Sequence, residues 1–333
     1  MRDMRLMIIV HHERTARHGL PDGPWQGALR LIDWGVIRAD GEDAATFLQS
    51  QLTQDFAAFH DGEHRLAGYC SPKGRLLASF IAWRAGPQRF HLACSADLLA
   101  ATLKRLSMFV LRAKCRLTDA SGDVALWGLA GAPALAWLDG AAAAPGSVTP
   151  RGDAGQVLRL ADVQGVPRVL LAQPAVADPP PLPLLLAAAW SWLQVHGGLP
   201  VITAATADQF VPQMVNLELL GGVNFRKGCY PGQEVVARSQ YRGTLKRRMV
   251  LFEAGPVTAL PGEEVFHSGD PAQPSGLVVN AAPHPDGKRL ALLVSLKTAA
   301  LGQGSWHLRS PDGEPLVEAA LPYALPAPGD DVP

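Results

Sequence analysis

D-Q-F-V-P-Q-M-V-N-L-E-L-L-G-G-V-N-F-R-K-G-C-Y-P-G-Q-E-V-V-A-R-S-Q-Y-R-G-T-L-K-R-R, residues 208–248, sets backbone devices beside reactive side chains. Gly221, Gly222 and Gly228 permit left-handed or closely approached backbone, and Tyr230-Pro231-Gly232-Gln233 has proline second and glycine third, the order a type II turn needs. A short helix is expected to follow over Gln233 to Arg238. Its free N-terminal amides can receive an anion, and Glu234 in its first turn suits the same dipole. Cys229 stands two residues after Lys227 and three after Arg226. Neighbouring cations and a helix N-terminus favour a thiolate, whereas a buried cysteine in a glycine-rich turn is the commoner fate, so both readings stand on chemistry alone. Arg238, Arg242, Lys246, Arg247 and Arg248 put five cations within eleven residues around Tyr241. That run can meet phosphate or a polycarboxylate tail, or simply be a solvated basic loop.

Outward from this stretch, 333 residues at about 150 per domain make two or three domains. Hydrophobic residues at 48% and charged residues at 18% place the chain among folded globular proteins. Lysine plus arginine and aspartate plus glutamate both number 30, which excludes a protein built wholly around attraction to nucleic acid or a membrane surface. The four cysteines form no C-x-x-C pair, so a reducing compartment fits and no metal is assigned. The apolar run Leu6 to Val10 is too short for a signal-peptide core, and Leu184 to Val195 falls short of the ~20 residues a bilayer span requires. A cytoplasmic protein is expected.

Residues 1–24 show no sustained period and read as an arm. From Ala28 to the Asp40-Gly41 turn the text is strand-like, and Ala44 to Leu52 is helical in spacing. His64 to Cys70 and Arg75 to Trp83 flank S-P-K-G as two strands about a tight turn. Arg89 to Cys94 reads as a strand, Ala96 to Phe109 as a helix, Val124 to Leu129 as a strand and 132–143 as a helix. D-P-P-P-L-P at Asp178 to Pro183 is a stiff connection into a helix over Leu184 to Val195. Beyond Arg248, short apolar runs at Met249 to Phe252, Gly276 to Val279 and Leu290 to Ser295 predict a small all-β domain, with a boundary near 245. No repeat, P-loop, H-E-x-x-H or G-x-S-x-G is present; Gly128 to Gly131 reads as a strand-to-helix turn.

K-G-C-Y-P-G-Q-E at Lys227 to Glu234, followed by Arg238 in V-A-R, resembles the signature of the YgfZ family of folate-binding proteins, distant relatives of the glycine-cleavage T-protein, an aminomethyltransferase. The similarity extends through F-L-Q-S-Q-L-T-Q-D (Phe47 to Asp55), S-P-K-G-R-L (Ser71 to Leu76), G-L-P-V-I (Gly198 to Ile202), Phe210 to Gly222 and L-P-Y (Leu321 to Tyr323). It implies an α+β fold of three domains around a central channel: a discontinuous domain 1 over 25–60 and 122–244, domain 2 over 61–121, and a small C-terminal β-barrel over 245–333. It also implies tetrahydrofolate or a one-carbon derivative as cofactor, support of iron–sulfur cluster assembly or repair through client or assembly proteins, and an influence on tRNA modification by iron–sulfur enzymes.

On the same resemblance, Trp34 and Trp190 match the folate-site tryptophans, whose indole faces stack on a flat pterin, and Glu218 stands where the T-protein contacts the pterin. Without the resemblance both tryptophans read as core. Cys229 is the implied reactive thiol with Lys227 beside it, in a motif completed by Gly228, Tyr230, Gly232, Gln233, Glu234 and Arg238. The catalytic aspartate of the T-protein is not matched: L-A-C-S-A-D at Leu92 to Asp97 lacks the preceding asparagines. Folate binding is therefore expected to be kept and aminomethyl transfer lost. The alternatives are a folate-dependent one-carbon transferase and a tRNA-binding module using the 238–248 cations.

Overall fold

The computed structural model describes residues 24–140, 144–241 and 245–326. The expected arm, Pro24 apart, and Arg242 lie outside the described residues. The chain opens with β1 (Gly27–Arg30), β2 (Trp34–Asp40) and α1 (Ala44–Gln51), then β3 (His64–Cys70), β4 (Leu76–Gly86), β5 (Arg89–Ser95), α2 (Ala96–Ser107) and β6 (Arg116–Asp119). There follow β7 (Val124–Ala130), α3 (Ala132–Leu138), β8 (Val148–Arg151), β9 (Gly155–Val163), β10 (Val166–Pro174) and α4 (Ala187–His196). After a 3-10 turn at Pro212–Val215 come α5 (Gln233–Tyr241) and β11 (Arg247–Ala254), β12 (Glu264–His267), β13 (Gly276–Pro283), β14 (Leu290–Lys297), β15 (Trp306–Leu308) and β16 (Pro315–Ala319).

Two five-stranded antiparallel sheets and a closed barrel result. One sheet is ordered β1-β7-β10-β9-β8, the other β3-β4-β5-β2-β6, and the barrel β11-β14-β13-β12-β15-β16. β1 and β2 belong to different sheets. Leu31 to Asp33 break the strand-like run, so β1 joins β7 while β2 crosses to β5 and β6, carrying α1 with it. The sequence reading assigns no element to 148–174, which holds β8, β9 and β10. The expected helix at 184 begins at Ala187 instead. Its first residues are held along β1, where Ala28 donates to Pro183 O at 2.8 Å and Leu185 donates to Ala28 O at 2.9 Å.

Where β11 and β14 form it, the barrel wall is buried on both faces. Val250 and Phe252 of β11 and Leu292, Val294 and Leu296 of β14 fill the barrel, while Met249, Leu251, Ala291 and Leu293 face the main core. Side chains alternate across a strand, so a wall with core on both sides must be apolar at every position, which is why Leu290 to Leu296 reads as a nearly unbroken apolar run. α4 packs on β13 and β14 and joins the barrel to the first sheet. Each large side chain so buried contributes about 1.5–3 kcal/mol.

Candidate functional site

Two separated motifs converge on residues 221–234. Thr53 sits between strand and loop: its hydroxyl donates to Gly222 O at 2.6 Å and accepts from Gly68 N at 2.7 Å, while Asn224 N donates to Thr53 O at 2.9 Å. Gln54 Nε2 donates to Gly221 O at 2.7 Å and to Leu66 O at 3.0 Å. These two buried residues give F-L-Q-S-Q-L-T-Q-D its role, the anchoring of the loop's start to β3. Sequence reasoning assigned them no function; two polar residues straight after a buried apolar helix are the available signal.

The loop's end is fixed by a glycine pair. Gln233 N donates to Tyr230 O at 3.2 Å across a turn in which Gly232 has φ +79°, the type II arrangement. A Cβ on Gly232 would lie 2.4 Å from Ser71 O and 2.6 Å from the Cα of Gly74. The S-P-K-G turn between β3 and β4 thus presses backbone to backbone on the P-G turn that starts α5. Gly232→Ala combines a left-handed residue with overpacking, and a loss of about 2–4 kcal/mol is expected in urea unfolding. An unchanged midpoint would mean that the two turns do not dock. Gly228 differs from the expectation of constrained backbone, since its φ is not positive and a Cβ there would meet nothing within 4 Å among the described residues.

The exposed Cys229 lies between these anchors, whereas Cys70, Cys94 and Cys115 are buried. Burial pushes those three thiols up to about 12, 12 and 11 respectively, so they stay protonated at neutral pH. Lys227 is buried at 7% exposure, and its ammonium donates to Gln49 O and, at 2.5 Å, to Leu52 O. It therefore caps the C-terminus of α1, where a cation also meets the negative end of the helix dipole. Burial lowers its pKa to about 8, opposed by Asp55 and Cys229. Its Nζ stands 5.0 Å from the centre of the Tyr230 ring. Tyr230 is buried, Gln233 and Glu234 open α5, and Arg238 is exposed in its last turn.

The residues expected at the folate do not share one cavity. Trp34 is half-buried at the start of β2 and lines an apolar hollow of about 10 Å³ with Leu66, Ile81, Leu199 and Leu217. That is room for about one water. Trp190 lies in the core, its indole so close over Gly128 of β7 that a Cβ there would stand 2.7 Å from the ring. Glu218 is buried and accepts from Arg248 Nη1, while its Oε2 has no hydrogen-bond partner among the described residues. Burial raises the carboxyl pKa and Arg248 opposes it. The cations of 238–248 do not all reach solvent: Lys246 and Arg238 are exposed, but Arg248 turns inward and Arg247 is half-buried, donating to Ser275 O at 3.2 Å. Asp97 accepts from Ser95 Oγ at 2.7 Å and from Ala204 N at 2.9 Å, a tie between α2 and the loop after Ile202.

No protein-family model matches the chain. It is 32% identical over 315 residues to the "tRNA-modifying protein YgfZ" of Klebsiella pneumoniae (strain 342), covering 89% of this chain and 93% of that one. To the protein of the same name in Edwardsiella ictaluri (strain 93-146) it is 36% identical over 310 residues, covering 89% and 92%. In three dimensions it is similar to the glycine cleavage system aminomethyltransferase T from Bartonella henselae, with a TM-score of 0.68 at 17% identity over 88% of this chain and 85% of that one. The last likeness concerns the fold, which here is the aminomethyltransferase T-like fold with a C-terminal six-stranded barrel.

Proposed function

The chain belongs to the YgfZ family, and on that premise we propose that it is a cytoplasmic, folate-binding accessory protein whose exposed Cys229 supports iron–sulfur cluster assembly or repair and, through it, tRNA modification. The observation that carries this reading is the contrast among the cysteines: three are buried and one is presented to solvent on a loop held at both ends. A single thiol does not hold a cluster, since clusters are commonly held by four ligands. A client or assembly protein supplies the others, and solvent exposure of Cys229 is what such an encounter needs. Three unpaired buried thiols suit a reducing compartment. Among the described residues no helix is long and apolar enough to cross a membrane.

Tetrahydrofolate would supply a carrier for one-carbon units. Two of the three expected residues offer what a pterin needs: the unpartnered Oε2 of Glu218 can accept from a pterin N–H, and Trp34 offers an aromatic face in a hollow it shares with Leu217, the residue before Glu218, whereas Trp190 stays packed on Gly128. The volume beside Trp34 is too small in this conformation, so binding requires the lining leucines to move aside. A one-carbon transferase is the weaker reading, because both oxygens of Asp97 already accept hydrogen bonds within the fold.

Titration of the full chain with tetrahydrofolate, followed by tryptophan fluorescence, is expected to saturate, with affinity at least tenfold weaker in Trp34→Leu. Absence of saturation in the parent at millimolar folate removes the cofactor from the proposal. Equal affinity in the variant moves the pocket elsewhere.

A further inference from the structure

The S-P-K-G turn just before β4 meets the signature loop, and the last residues of β4 border a different cleft. At about 3.3 Å per residue the two ends of β4, Leu76 and Gly86, are roughly 33 Å apart. The register of the second sheet sets His64, Trp83, His91, Arg38 and Thr118 side by side across five strands. β9 covers one end of this row, where Trp83 Nε1 donates to Gln156 Oε1 at 2.7 Å and His64 Nε2 lies 2.9 Å from Arg159 O. At the other end the two sheets part, leaving a cleft of about 860 Å³ lined by His91, Arg38, Arg84 and Arg89. That volume is within the range of small-molecule sites.

His91 is the informative residue. It is 7% exposed, yet neither ring nitrogen has a hydrogen-bond partner among the described residues. Buried polar groups are nearly always satisfied, and an exception at a cleft marks a place for a ligand atom. Burial, reinforced by Arg38 and Arg89 and opposed by Asp40, lowers its pKa to about 4. The ring is therefore neutral, with one donor and one acceptor, and the two guanidiniums outweigh the carboxylate around it. Arg38 pairs with Asp123 at 2.9 Å, Arg89 with Asp40 at 2.6 Å and Arg84 with Asp61 at 3.2 Å. Asp123 and Asp61 are 66% and 90% exposed, so these are solvent-facing pairs that an entering oxyanion can replace at small cost. A phosphate satisfies the guanidiniums, and a rotation of the His91 ring that brings its enclosed nitrogens to the cleft lets the imidazole N–H join the phosphate and the other nitrogen accept from a neighbouring sugar hydroxyl.

We propose that this cleft is a second ligand site, taking the phosphate and ribose hydroxyl of a ribonucleotide, free or within RNA, through Arg38, Arg89 and His91. The lining carries three arginines, Arg38, Arg84 and Arg89, against three aspartates, Asp61, Asp123 and Asp153, so recognition is by short-range hydrogen bonds and not by a broad positive field. The site is independent of Cys229 and of folate, and its failure would leave that reading intact.

The test titrates the full chain with AMP by calorimetry and with a short single-stranded RNA by fluorescence anisotropy. The variants are His91→Phe, which keeps a ring beside Trp83, and Arg89→Gln, whose side chain is half-exposed. AMP binding that weakens at least tenfold in both variants supports a free nucleotide as ligand; RNA binding with the same losses and no AMP binding supports RNA. His91→Phe is expected to melt no lower than the parent, since it removes two unsatisfied nitrogens; should it fail to fold, Arg89→Gln alone decides. Absence of binding by either probe, or binding unchanged in the folded variants, overturns the proposal.

Discussion

Cys229→Ala will fold as the parent does and lose its support of those tRNA nucleosides that iron–sulfur enzymes make. The thiol is exposed, and the loop is held by contacts that do not involve it: Thr53 and Gln54 at one end, the Gly74–Gly232 contact at the other, and Lys227 tied to α1 between them. Surface substitutions away from such contacts change stability by about 0.5 kcal/mol or less. In cells lacking their own homologue, the variant should leave nucleoside modification at the empty-vector level, at least tenfold below the parent, while tetrahydrofolate affinity changes less than twofold. Gly228→Ala is the companion measurement. Its new methyl meets no atom of the described residues within 4 Å, so the melting point should hold. Any loss of activity would then come from a client pressing on the loop at the residue before the thiol. A fully active Cys229→Ala protein would remove sulfur chemistry from the function.

The legible parts of the fold were those where local pattern and tertiary role coincide. Proline and glycine in S-P-K-G and Y-P-G-Q specify their turns wherever the chain goes, and the apolar runs after 248 had to be barrel strands once both faces were buried. β1 and β2 were not separable by pattern, because what divides them is the choice of sheet, a long-range pairing of Gly27 with Ala130 and of Trp34 with Ser95. The candidate site was legible at Cys229, where cations and glycines cluster in sequence, and misleading at Lys227 and Arg248. A lysine or arginine in a basic run looks solvated until the fold supplies buried acceptors, here the carbonyls ending α1 and the Glu218 carboxylate. His91 was invisible as a site residue because the cleft beside it exists only where two sheets, distant in sequence, part.

Arg248→Met is expected to cost about 3–5 kcal/mol, the largest stability loss of any single change at the site. The side chains of Arg248 and Glu218 are 5% and 1% exposed, and Arg248 also donates to Gln213 O at 3.1 Å. Around them, Asn216 Nδ2 donates to Met249 O at 2.8 Å, and the hydroxyl of Tyr323 donates to Gly198 O at 2.9 Å. The pair thus stands where the segment after the 3-10 turn, the barrel and the C-terminal L-P-Y meet. Removing the guanidinium leaves a carboxylate buried without a counter-charge, and it will take up a proton. Glu218 already has a raised pKa in the folded protein, so the folded state holds its proton over a pH range in which the unfolded chain, near 4.5, has released it. Stability linked to that proton is present below the unfolded value and is lost as pH rises through the folded one. Arg248→Met widens this window, so its deficit relative to the parent should shrink as the buffer approaches pH 4.5 and grow toward neutrality. Adding Glu218→Leu should recover most of the loss, because replacing both partners by apolar groups removes the uncompensated charge. A single variant with the parent's urea midpoint at pH 7, or a double variant no better than the single, would show that the pair does not hold the junction.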